Sequence, residues 1–131
     1  MNWTWIGLLS LTGLLMGLLT SLVGLPTPVE MGTWIACYVA WGVLITRKGL
    51  PAFSTAFGAS LLSGVWTGGT QFALWDSYVA SNPWYAEQIA ESGGAASLPQ
   101  ILGFALVMGA VWGLLVGGVC WGIARRRSAA A

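Results

Sequence analysis

The first 29 residues of the chain carry no charge, and the next uncharged runs cover residues 31–46, 49–75 and 92–124. A helix needs about 20 mostly apolar residues to cross a hydrocarbon layer of about 30 Å. Few folds other than a set of membrane helices tolerate such spacing of charge. The composition agrees: 56% of residues are hydrophobic and 7% are charged, where soluble domains hold about 25% charged residues. The sequence therefore predicts an all-α, integral membrane four-helix bundle, one transmembrane domain over 1–131, with spans at 3–23, 28–46, 51–75 and 99–124. Residues 76–98 form an extracytoplasmic loop. The net charge of +1, with basic residues in two tight groups, excludes a nucleic-acid partner and leaves the lipid bilayer as the first one.

Local signals punctuate the spans. The first ends at "GLPTP", where Gly24, Pro26 and Pro28 break the helix. "TPVE" reads as a capping box in which Thr27 accepts from the Glu30 N–H and Glu30 reaches back. Arg47, Lys48 and Gly49 close the second span, with cations in the last turn where the helix dipole favours them. "SLPQ" places a Ser-x-x-Gln box, Ser97 and Gln100, at the start of the fourth. The loop predicts one short interfacial helix, capped by Ser81 or Asn82, started by Pro83 and stopped by Gly93, with Tyr85 and Ile89 on one side. Because no Lys or Arg precedes the first apolar run, that run reads as a retained helix rather than a cleaved signal.

Charge sign sets the orientation. Arg47, Lys48, Arg125, Arg126 and Arg127 fall on one side of a four-span arrangement, and Glu30, Asp76, Glu87 and Glu91 on the other. Since Lys and Arg in short flanking segments stay on the cytoplasmic side, both termini are expected there, in a bacterial inner membrane. An odd number of spans would mix the signs.

Helices meeting in lipid gain little from hydrophobicity, so close approach through small residues supplies much of the attraction. Each span offers a stripe at helical spacing: Gly13 and Gly17 with Ser10, Thr20 and Gly24 in the first; Gly32, Ala36 and Ala40 in the second; Ser60, Gly64 and Thr67, with Gly68 beside them, in the third; Gly109, Gly113 and Gly117 in the fourth. These stripes are expected to serve contacts within the chain and between copies, giving a homo-oligomer or an assembly with other membrane subunits.

Two groups of residues carry a double reading. Gln71 either holds one helix to another or, with Thr67 and Thr70, gives an outer vestibule a polar lining. Trp3, Trp5, Trp75, Trp84, Tyr85 and Trp121 read as interfacial anchors. The deeper Trp34, Trp41, Trp66 and Trp112 either fill space opposite glycine or stack on a flat apolar ligand. Cys37 and Cys120 read as small apolar residues at different depths rather than as a bridge.

The chain has no histidine, which removes histidine-based metal, haem and Ser-His chemistry. No charged residue lies in the interior of a span, where ion-coupled transporters carry one. The expectation is a protein that is not an enzyme, with no cofactor and no metal site. In size it is similar to the small multidrug resistance family, but the glutamate that family carries in its first span has no counterpart here. "LTGLLMGLLTSLVGL", "WIACYVAWG" and "KGLPAFSTAFGASLLSGVW" resemble an uncharacterised family of small multi-pass bacterial inner-membrane proteins over the first half of the chain. That resemblance implies a membrane location and no activity. The functional expectation is an accessory or scaffold subunit, or a small-ligand binder, acting through helix-helix assembly, with the outer "SNPWYAEQIAES" segment as a lid or docking element. The alternative is a homo-oligomeric passive channel or facilitator for a small neutral solute.

Overall fold

Six helices and short connections make up the protein in a computed structural model that describes residues 2–91 and 97–129. They are α1 (Trp3–Leu22), α2 (Thr27–Arg47), α3 (Ala52–Ala73), α4 (Trp75–Ser81), α5 (Pro83–Glu91) and α6 (Leu98–Ala129), and no strand occurs among the described residues. Three of them, α1, α2 and α6, are long and apolar enough to cross a membrane. The α3 helix, with 22 residues, is as long as α1 and α2 but is diluted by Gly, Ser and Thr.

The centre of the molecule is α3, lying between α1 and α6. Its register is fixed by glycine. Along α1, the level of Gly58 meets Ile6, Ser63 meets Gly13, and Thr67 and Thr70 meet Gly17, so the two helices run parallel. Along α6, Phe53 meets Gly117, Phe57 meets Gly113, Ser60 meets Gly109 and Gly64 meets Ala105, so this pair runs antiparallel. A β-carbon on Gly109 would stand 2.9 Å from the Ser60 carbonyl oxygen, and one on Gly13 would land on the Ser63 carbonyl. Only a hydrogen in place of a side chain permits backbones that close.

Hydroxyls fasten α1 to α3 between these glycine contacts. Thr67 donates to the Gly13 carbonyl at 2.9 Å, Ser63 to the Ser10 carbonyl at 3.3 Å, and the Gln71 amide to the Thr20 hydroxyl at 3.2 Å. In lipid each such bond contributes on the order of 0.6 to 2 kcal/mol.

The α2 helix sits differently. Its buried residues are Tyr38, Trp41 and Ile45, all in its second half, and they pack with Leu9, Ala56 and Ala59 in the main apolar cluster. Gly32 has no neighbour within 4 Å, and Ala36 and Ala40 are exposed. Of the two uses expected for the stripe at Gly32, Ala36 and Ala40, the contact within the chain is not made, and the stripe faces outward. The reason lies on the opposite face, where Trp34, Tyr38 and Trp41 supply far more buried area than three small residues can.

Two glycines make the turns possible. Gly24 takes φ 72° after α1 and Gly49 takes φ 61° after α2, conformations that a β-carbon disfavours. At Gly49 the turn closes with Leu50 N–H donating to the Ile45 carbonyl at 3.1 Å. Gly24 is pressed against the Ser81 carbonyl as well.

Several local expectations change. Thr27 is inside α2 rather than its cap; Pro26 caps it, and the Val29 and Glu30 N–H groups donate to the Pro26 carbonyl. The prolines preset the first turn, so the side-chain box is not formed. At α6 the reach-back half of the box is present, with Ser97 N–H donating to Gln100 Oε1 at 2.8 Å. Pro83 starts α5, but a further short helix, α4, precedes it within the segment read as loop. Gly93 and the side chains of Ile89 and Arg127 lie outside the described residues.

Candidate functional site

A cavity of about 690 Å³ lies between the first half of α2 and the facing surfaces of α3 and α6, roofed by α4 and α5. The size falls in the range of ligand pockets, about 300 to 1,000 Å³. It exists because α2 is held off at one end by its rings and by the Thr27 hydroxyl, 3.3 Å from that of Tyr85.

Seven of the 21 residues lining it are aromatic. Trp34 stacks on Tyr38 with centroids 5.7 Å apart, and Tyr38 stacks on Trp112 at 5.5 Å, joining α2 to α6. Beneath them Trp41 meets Tyr38 edge-on at 5.2 Å and is 1% exposed. With Ile45, Ala56 and Ala59 it closes the cavity toward the end where α1 begins and α6 finishes. At the opposite end Trp75 stacks on Tyr78 at 5.7 Å and Tyr78 on Tyr85 at 6.4 Å.

The lining surface is mostly apolar. Its uncharged polar side chains are Thr67 and Gln71, with Thr27, Ser60, Ser63, Gln88 and Gln100. The Ser60 hydroxyl is buried without a hydrogen bond, and the Tyr38 side chain approaches it without reaching hydrogen-bond geometry. Glu30 is the single carboxylate in the lining, with the Trp34 indole N–H beside it, and no lysine or arginine lines the cavity among the described residues. Burial first, then the charge of Glu30 and the neighbouring Tyr85, push the Tyr78 phenol up from 10 to about 12.

Other residues singled out from the sequence lie elsewhere. Thr70 is not in the lining: it packs on Gly17 and donates to the Trp66 carbonyl at 2.7 Å, because one residue's rotation along α3 turns it toward α1. Gln71 donates to the Thr20 hydroxyl at 3.2 Å and borders the cavity. Trp66 is 41% exposed on the outer surface, away from the cavity. Trp3 and Trp121 are exposed, Lys48 lies 5.9 Å from the Trp5 ring and Arg125 5.3 Å from the Trp121 ring, at the same end as Arg47 and Arg126. Trp75, Trp84 and Tyr85 are at the other end, with Glu30, Asp76, Glu87 and Glu91. Gly64 and Gly68 lie against Ala105 and Gly117 against Phe53. Both cysteines are free.

Sequence reasoning missed Glu30, Tyr38, Tyr78 and Asn82. Tyr38 had a signal: Trp34, Tyr38 and Trp41 follow at helical spacing on one face of α2. Asn82 had none. It reads as a loop cap, yet it is 1% exposed and donates to the Thr20 and Tyr78 carbonyls, both at 2.7 Å, pinning the roof to the end of α1.

No family model, curated protein or solved structure matches the chain.

Proposed function

We propose that the protein is a four-span bacterial inner-membrane protein that binds a small, largely apolar ligand in the cavity between α2 and the α3–α6 pair, and performs no chemistry on it. The observation that carries this reading is the cavity itself: about 690 Å³ walled by Trp34, Tyr38, Trp75, Tyr78, Tyr85 and Trp112, with a mostly apolar lining. A helix seam in lipid normally closes on small residues. A gap lined by large rings is what recognition of an apolar ligand requires.

The membrane setting supports α3 as the fourth span. Its 22 uncharged residues reach about 33 Å at 1.5 Å per residue, and it keeps register with both α1 and α6 from end to end. Its modest hydropathy is compatible with that place, because most of its surface meets protein rather than lipid. With four spans the cations gather at one end and the carboxylates at the other, and the cationic end is cytoplasmic. The cavity then belongs to the outer half of the bilayer, and α5 with Tyr85 and Gln88 forms its lid. The buried plug of Trp41, Ile45, Ala56 and Ala59 favours binding over conduction. A second reading, assembly with further copies or other subunits, is favoured by the uncovered Gly32, Ala36 and Ala40 face of α2.

A neutral aryl diazirine in nanodiscs tests the cavity. Photolabelling of Met31, Trp34 and Met108 should saturate and be displaced by the unreactive parent compound. Labelling there that rises without limit, as at lipid-facing Leu114 and Val119, would sink the binding reading. The particle mass in mild detergent tests assembly.

A further inference from the structure

The cavity is not electrically neutral. Its lining holds one carboxylate, Glu30, and no basic residue among the described residues. The other carboxylates, Asp76, Glu87 and Glu91, stand on the roof helices at the same end, and the described basic side chains are at the far end. An anionic ligand therefore finds no cationic side chain in the lining, and a neutral one leaves Glu30 with the Trp34 indole N–H but no counter-ion. A cation supplies that counter-charge.

The rings beside Glu30 have the matching chemistry. Trp34 follows it by one turn of α2 and has its indole N–H next to the carboxylate. Tyr78 and Tyr85 stack on each other at 6.4 Å, and Trp75 extends the stack at 5.7 Å. Aromatic faces carry negative potential, and a desolvated cation within about 6 Å of several of them is attracted to each. One carboxylate among several rings is the composition that holds alkylated ammonium groups. Deeper in, Met108 and Trp112 offer apolar surface for the rest of such a molecule.

Resting on the binding reading above, we infer that the cavity takes a lipophilic monocation, with Glu30 as its counter-charge, the aromatic wall of Trp34, Tyr78 and Tyr85 beside the charged centre, and Trp112 beneath its apolar body. Zwitterionic lipid also presents an ammonium group, but it brings a phosphate for which the lining has no basic partner. The occupant is a free cation rather than a headgroup.

Tetraphenylphosphonium and tetraphenylborate have the same shape and opposite charge. Equilibrium dialysis of each against the full chain in phosphatidylcholine nanodiscs, corrected for empty discs, separates charge from shape. Because phosphatidylcholine is present in excess, binding there reports the free cation. Saturable binding of the phosphonium and none of the borate is expected, with affinity for the phosphonium reduced roughly tenfold or more in Glu30→Gln and unchanged in Asp76→Asn. Equal binding of both ions, or of neither while the neutral diazirine still saturates, overturns the cation and leaves the cavity reading in place. Failure of all three probes overturns both. The two wild-type ions decide the matter even where Glu30→Gln does not fold.

Discussion

The α1 and α2 helices have 20 and 21 residues, both are apolar enough to span a bilayer, and both carry small residues at helical spacing. Yet α1 buries eight residues, from Ile6 to Ser21, and α2 buries three. What differs is the surface each one meets. The α1 stripe faces Ser63, Thr67 and Thr70 of α3, whose short side chains let the backbones touch and whose hydroxyls reach across to the Ser10 and Gly13 carbonyls. The inward face of α2 carries Trp34, Tyr38 and Trp41, and rings of that size seat the helix firmly at one end and hold it away at the other. Small residues make the scaffold of this protein, and large ones make its cavity.

The largest expected break of this contrast is a pair of like substitutions. Gly13→Leu drives a branched side chain into the Ser63 backbone and should cost about 3 kcal/mol or more, read as loss of monodisperse protein in mild detergent. A β-carbon at Gly32 meets nothing within 4 Å, and Gly32→Leu should leave the yield unchanged. Comparable losses from both would mean that α2 packs through its small face in the folded monomer.

Next comes the roof. Asn82→Ala removes two buried hydrogen bonds to the Thr20 and Tyr78 carbonyls, for a cost of about 1–3 kcal/mol. Amide exchange should accelerate across α4 and α5 while α1 and α3 stay protected. Uniform acceleration would show that the roof is an integral part of the scaffold.

Gln71→Leu should be milder, on the order of 0.6 kcal/mol, since Thr20 keeps its bonds to the Met16 and Gly17 carbonyls. Thermal unfolding in detergent should shift by only a few degrees. Disappearance of the assembled protein would place Gln71 among the residues on which the α1–α3 seam depends.

Tyr78 gives an effect seen only at high pH. Its phenol is raised to about 12 in the folded protein from an ordinary value of 10, so the unfolded chain ionises first as pH rises. The corresponding stability is intact below about pH 10 and is lost between about 10 and 12. The tyrosinate absorbance that develops between about pH 10 and 12 should lose amplitude in Tyr78→Phe. A loss of amplitude confined to lower pH would mean that water and ions enter the roof freely.

The scaffold was far more legible than the cavity. Gly13 with Gly17, and Gly109 with Gly113 and Gly117, stand at intervals that put them on one face of a helix, and those faces lie against α3. The same interval at Gly32, Ala36 and Ala40 turned outward, because periodicity says which residues share a face and not what will come to meet it. The α3 helix shows the converse. Its Gly, Ser and Thr content lowers its hydropathy just where neighbouring helices, rather than lipid, surround it. A cavity is an absence of contact, so no run of residues spells it; only the Trp34, Tyr38 and Trp41 series hinted at one side. Asn82 and Tyr78 come from a segment whose polarity reads as a connection, and Asn82 is buried against the end of α1, some sixty positions away in the chain.

The place of α3 between two helices bears on how the protein is made. On the four-span reading, α3 is the segment that lipid alone accepts least readily when it leaves the ribosome, because its surface is shaped for protein. The earlier α1 can receive one side of it at once, through Gly13, Gly17 and the hydroxyl ladder. The other side must wait at the translocon until α6 has been synthesised. Biogenesis thus has a vulnerable interval, and truncation just before α6 should leave a nascent chain that quality-control proteases find easily.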